Sequence, residues 1–201
     1  MIVVDTETTG LYPEKHSIVS IGAVFFSEPV SHPLFYEECR IWDGAEVSKA
    51  ALAVNGFTEE EIRDPRKQSL GDLVRHFLKW VEDIPFRTIA GENPSFDRGF
   101  LENSCERHGI AWAFGHRTVD LHSLCFAHHL ERGSMPAIKN GRSDLSTDKI
   151  LRYVGLPEEP KPHHALVGAK MEAEAFSRLI YGHGLLDQFQ HFPVPAYLQD
   201  E

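Results

Sequence analysis

The chain opens with an apolar run, "MIVV", that ends in an acid, Asp5, and reads as a buried strand. Two more runs follow, "SIVSIGAVFF" (17–26) and "LFYEECRIW" (34–42). The turn-rich "SEPVSHP" between them predicts an antiparallel hairpin. The period then changes. "FTEEEIRD" places Thr58 three residues before Glu61, a capping-box spacing that predicts a short helix. Residues 69–84 set Leu70, Leu73, Val74, Phe77, Leu78 and Val81 at helical intervals. "FRTIAG" reads as a short strand. Asn93 and Pro94 then open a helix that closes at Gly109, with asparagine at the N-cap and proline in the first turn. "RTVDL" predicts a strand, "HSLCFAHHLER" a helix, "GSMPAIKNGRSD" (133–144) a polar loop and "STDKILRYVGLP" a short helix. The last long helix is predicted to open near Pro162 and to run through "HHALVGAKMEAEAFSRLIYG". The segment "FPVPAYLQDE" has no period and reads as irregular. A strand-rich start followed by alternating elements implies a mixed sheet covered by helices, an α/β fold. No internal repeat, low-complexity tract or inserted domain is visible, so the expected organisation is one domain over 1–181 and a tail over 182–201.

Composition narrows the picture. With 201 residues, 42% of them hydrophobic, the chain can bury a substantial core. Its apolar runs are too short for a membrane span, and "MIVVDTETTG" has no basic region or cleavage site, so no signal peptide is expected. Cys39, Cys105 and Cys125 are odd in number and form no CxxC. That favours a reducing, cytoplasmic setting over a disulfide framework or zinc ribbon. Formal net charge is −10. Proteins that track long nucleic acid along its backbone carry a basic surface, and this chain as a whole does not. Three possibilities remain: a partner that is not nucleic acid, a grip on a few nucleotides through metal ions and local donors, or an acidic excess that only maintains solubility.

Three short stretches carry candidate chemistry. In "VVDTETTG", Asp5 and Glu7 lie two residues apart on one strand face, roughly 6.6 Å along the chain. Paired carboxylates there repel unless a cation lies between them, and Mg²⁺ or Mn²⁺ prefers oxygen ligands. A solvated strand end gives the same pattern. In "GENPSFDRGF", Asp97 falls in the first turn of a helix, where it either joins a metal site or simply favours the helix dipole. Phe96 beside it is a core residue or a platform for a nucleobase. His163 and His164 open the last helix, as a general base beside a metal site or as solvent-facing residues. His122, His128 and His129 form a weaker, alternative set of metal ligands.

Taken together, "DTETTGL", "NPSFDRGF" and "HHALVGA" resemble, in order and spacing, the three motifs of the DEDDh (DnaQ-like) 3′–5′ exonucleases. "VNGFTEEEI" and "TVDLHSL" resemble the family's intervening segments, and the likeness covers roughly residues 1–181. It implies a ribonuclease H-like fold with a central mixed five-stranded sheet flanked by helices. It also implies a metal-dependent enzyme that releases nucleoside 5′-monophosphates from single-stranded or frayed DNA or RNA 3′ ends. A replication, repair or RNA-processing machine would be its partner. By this likeness Asp5, Glu7 and Asp97 hold two Mg²⁺ or Mn²⁺ ions, and His163, fixed in register by Ala165, takes a proton from water. Thr6, Thr8, Val54, Asn55 and Phe96 lie along the terminal nucleotide, and Leu11 acts as a wedge. The register departs from the family at Gly168, where the fourth carboxylate is expected. Glu172, one turn further on, is either its substitute or an ordinary solvated glutamate. Loss of that ligand opens an alternative, a non-catalytic module that binds nucleic-acid ends or a partner, with "FPVPAYLQDE" as a docking peptide.

Overall fold

A computed structural model describes residues 1–28 and 33–199. Strand β1 (Ile2–Thr8) pairs antiparallel with β2 (Ile18–Phe25), and β2 pairs antiparallel with β3 (Phe35–Glu38). The pairing agrees with the predicted hairpin, although residues 29–32 of its "SEPVSHP" turn lie outside the described residues. Helices α1 (Lys49–Asn55) and α2 (Leu70–Glu82) follow, then β4 (Ile89–Gly91), α3 (Pro94–Arg107), β5 (Thr118–Asp120) and α4 (Leu121–Glu131). A small hairpin, β6 (Ile138–Lys139) and β7 (Arg142–Ser143), leads to α5 (Thr147–Tyr153) and α6 (Ala165–Tyr181). The main sheet runs β3-β2-β1-β4-β5, with β1, β4 and β5 mutually parallel. It is the mixed five-stranded sheet expected.

The first part of β1, Ile2 to Val4, reads as an unbroken apolar run because both faces of the strand are covered there. Ile2 and Val4 join Leu73, Val74 and Phe77 of α2 and Phe100 and Leu101 of α3 in one core. Val3 turns the other way, into a second core with Leu121 and Cys125 of α4, Ile150 and Leu151 of α5 and Ala169, Ala173 and Phe176 of α6. The apolar stripe predicted for 69–84 is buried as α2, whose N-cap Ser69 accepts from the Asp72 N–H. α6 is buried on nearly every side, and its alanines let it lie close to the sheet.

Several boundaries differ from the sequence reading. Pro162 is not in the first turn of α6. It follows a cis peptide bond in the approaching loop, and the helix begins at Ala165 with His164 as N-cap. Thr58 and Glu61 do form the reciprocal capping box, but it starts a 3₁₀ turn (Glu61–Arg63). Asn93 occupies the N-cap position of α3 without capping through its side chain, since its backbone is left-handed (φ 52°). The third strand stops at Glu38, and "GSMPAIKNGRSD" contains the β6–β7 hairpin. Past α6, Phe189 and Leu198 pack into the second core through two 3₁₀ turns. Arg178 holds them there: it pairs with Glu174 at 2.8 Å and donates to the carbonyls of Val154, Phe189 and Phe192. Among the described residues no helix is long and apolar enough to cross a membrane.

Candidate active site

The carboxyl end of β1 delivers Asp5 and Glu7 to the face that α6 covers. Gly22 stands opposite Asp5 on β2, and it sets how close that helix comes. A Cβ at Gly22 would meet the backbone of Ala165 and Leu166 at 2.2 Å, so only glycine admits the start of α6 here. The same approach brings Gly168 against Asp5. A Cβ built on Gly168 would lie 2.0 Å from Asp5 Oδ2. The absence of a side chain at 168 thus has a physical counterpart, because the carboxylate of Asp5 fills that space.

One cavity of about 290 Å³ gathers the nominated residues. Asp5, Thr6, Glu7, Thr8, Leu11, Val54, Asn55, Phe96, Asp97, His163 and Glu172 all line it. Asp97 enters from the first turn of α3, and its Oδ1 accepts from Thr6 N–H (2.9 Å) and Thr6 Oγ1 (2.7 Å). Thr6 therefore positions an acid as well as facing the cavity. Thr8 Oγ1 donates to Gly10 O. Asn55 Nδ2 donates to Thr8 O while its Oδ1 accepts from Phe57 N–H, so this side chain ties the end of α1 to β1. Leu11 and Val54 are exposed apolar groups at the mouth. Phe96 packs on Phe100 with one side toward the cavity. Of the two histidines, His163 lines the cavity and its N–H donates to Val54 O. His164 turns away and stacks on Tyr36.

The alternative histidine set does not converge. His122 contacts Ser143 Oγ, His128 contacts Tyr153 Oη and His129 contacts Ser134 Oγ. Glu172 is not a solvated glutamate. It is 7% exposed, and its Oε2 has no hydrogen-bond partner. A residue that sequence reasoning missed is Glu159, in the loop before α6. Among the described residues, Asp5, Glu7 and Glu159 form the trio whose ligating atoms lie within 4.8 Å of one another. Its only sequence signal is a position four residues before His163, which no period distinguishes.

The electrostatics of this cluster are those of crowded, buried acids. Burial lifts Asp5 well above the usual carboxylate range, and the charges of Asp97, Glu7 and Glu159 add to the lift. Glu7 is pushed up to about 7 by burial, then by Glu159 and Asp97. Asp97 is pushed up to about 7 by burial, against the opposing effect of its bonds from Thr6. Burial also raises Glu172, followed by the charges of Asp5 and Asp97. Acids crowded in this way retain protons unless cations replace them. The donor set is all oxygen, which suits Mg²⁺ or Mn²⁺.

Comparison with known proteins gives a consistent result. A family model described as Exonuclease (RNase_T) matches residues 2–176. The PolC-type DNA polymerase III of Thermotoga maritima is 27% identical over 183 residues. The match covers 89% of this chain but 12% of the polymerase. The 3′-5′ DNA exonuclease Cap18 of Escherichia coli is also 27% identical, with 89% of this chain and 90% of that protein covered. Among solved structures, the nuclease domain of 3′hExo, a DEDDh family member bound to rAMP, superposes with a TM-score of 0.70 at 16% identity over 92% and 93% of the two chains. Escherichia coli Exonuclease I in complex with a dA16 oligonucleotide gives 0.72 at 18% identity, over 90% of this chain and 40% of that one. At such identities the superpositions establish the fold, which is ribonuclease H-like.

Proposed function

Because the chain belongs to the exonuclease (RNase_T) family, whose model spans residues 2–176, we propose that it removes nucleoside 5′-monophosphates from the 3′ ends of single-stranded or frayed DNA or RNA. The supporting observation is convergence: Asp5 and Glu7 from β1, Asp97 from α3 and His163 from the loop before α6 meet around one cavity. A surface with net charge −10 suits an enzyme that grips only a terminal nucleotide.

The residues fit two divalent ions. Buried carboxylate oxygens that lack partners, such as Glu159 Oε1, are the expected state of a metal cage without its ion. Asp5, Glu7 and Asp97 would hold the cations, which when bound supply Lewis-acid stabilisation of phosphoryl charge and a more acidic water. The chain does the rest. Thr6 fixes Asp97 by two hydrogen bonds. Glu159 Oε2 lies 3.4 Å from His163 Nδ1, which favours a proton on Nδ1 and leaves Nε2 to accept one from the attacking water. Leu11 and Val54 at the mouth and Phe96 in the wall offer apolar contact to the last base.

The test is a 5′-labelled DNA or RNA oligonucleotide incubated with Mn²⁺ or Mg²⁺. A ladder shortening from the 3′ end supports the proposal. An oligonucleotide that is retarded but intact would favour the non-catalytic binding module.

A further inference from the structure

We propose that Glu159, carried on the loop between α5 and α6, completes the metal centre in place of a carboxylate at position 168. The inference rests on the preceding reading that this cavity binds divalent metal. It begins from the space around Gly168. A Cβ there would point at Asp5 and come within 3.4 Å of Glu159 Oε1. That oxygen lies beside the path along which a side chain at 168 would grow. Glu159 also offers a carboxylate oxygen within 4.8 Å of ligand oxygens of Asp5 and Glu7.

The state of Glu159 is that of a ligand awaiting an ion. Its side chain is 8% exposed, and Oε1 has no hydrogen-bond partner. Of the other buried glutamates, Glu172 shares this state and Glu174 does not. Glu174, 1% exposed, accepts from Arg178 with Oε1 and from the Leu185 and Leu186 N–H groups with Oε2. Glu159 is also braced from behind: Oε2 faces His163 Nδ1 at 3.4 Å, and its own N–H donates to Asp148 Oδ1 on α5. One oxygen is held by the base and the other aims at the acids. Glu172 is the rival. Its orphan oxygen, however, lies 3.1 Å from where a Cβ on Gly91 would stand, toward the end of β4, and Glu172 is not part of the trio.

The test is Mn²⁺ titration of the full chain without nucleic acid, by calorimetry or by the loss of free-ion paramagnetic signal. Parent, Asp5→Asn, Glu159→Gln, Glu172→Gln, Gly168→Asp and the double variant Glu159→Gln/Gly168→Asp are compared. We expect Glu159→Gln to weaken binding about 10-fold or more, by analogy with the support that outer ligands give a metal. Gly168→Asp in that background should return it toward the parental value, since both side chains serve one place. In the parent, Gly168→Asp should change affinity only a few fold, and this arm remains decisive if Glu159→Gln does not fold. Parental binding by Glu159→Gln alongside loss in Asp5→Asn overturns the role of Glu159 and leaves the metal site standing. So does a loss confined to Glu172→Gln, or a large gain from Gly168→Asp alone. A parent that binds no Mn²⁺ overturns the metal reading itself, and this proposal with it.

Discussion

At the residue scale, what matters is which atoms are left free. His163 lines the cavity and His164 stacks on Tyr36, so equivalent substitutions should have unequal effects. His163→Ala is expected to lower turnover by about 10²–10⁴-fold, the usual cost of a lost general base. His164→Ala should cost far less, as steady-state rates on one oligonucleotide would show. The acids predict a pH effect of definite sign. Glu7 and Asp97 are pushed up to about 7 from ordinary values of 4.5 and 3.8. A group whose pKa is raised on folding stabilises the native state below its unfolded pKa, and that contribution is lost as pH climbs through the folded value. The metal-free protein should therefore lose melting temperature between about pH 4 and 7. Mn²⁺ should offset the loss increasingly over the same range, because it binds the deprotonated acids. Thermal melts in chelator and in Mn²⁺ across that window would check both. Asp5, Glu7, Asp97 and His163 are legible in the sequence because each sits beside a strand or helix terminus with its own motif. Glu159 is not, because a loop residue's position is set by what the flanking helices pack against.

At the scale of elements, the central contact is between α6 and β2. Gly22→Ala would drive a Cβ into the backbone at the start of α6. Such overpacking costs about 1–3 kcal/mol, which urea denaturation would measure. The shifted helix start should also lower exonuclease rate and weaken Mn²⁺ binding, although residue 22 does not line the cavity. Long elements are well announced: the stripe of α2 and the first-turn proline of α3 are plain in the sequence. Short ones are not. α1 buries only Asn55, and "KAALAVN" is apolar almost throughout, with no helical period to read. The β6–β7 hairpin turns at Asn140-Gly141, a known hairpin pair. It is obscured because both its strands are exposed and lack alternation. The start of α6 is displaced from Pro162 because Gly56 and Val54 hold the approaching loop: Val54 O accepts from His163 N–H, and Pro162 packs where a Cβ of Gly56 would stand.

For the molecule as a whole, two properties are testable. Arg178 and Glu174 are each 1% exposed and join α6 to the segment containing Phe189 and Phe192. Removing one partner of a buried ion pair costs about 3–5 kcal/mol, so Arg178→Met should lower stability by that order in chemical denaturation. Substrate binding should also depend weakly on salt. Each phosphate neutralised on a single strand contributes about 0.7 to the slope of log affinity against log salt. A grip on a terminal nucleotide or two predicts a slope of magnitude below about 2, measured by fluorescence anisotropy with a labelled oligonucleotide. The order of elements along the chain adds a consequence in time. β1, the middle strand, is made by the ribosome before the loop and helix that face its acids. Contacts so distant in sequence form slowly and after local ones. A nascent chain that displays Asp5 and Glu7 still lacks His163, Glu159 and the cover of α6. Biosynthesis itself thus leaves the acids of β1 without their cover until α6 docks.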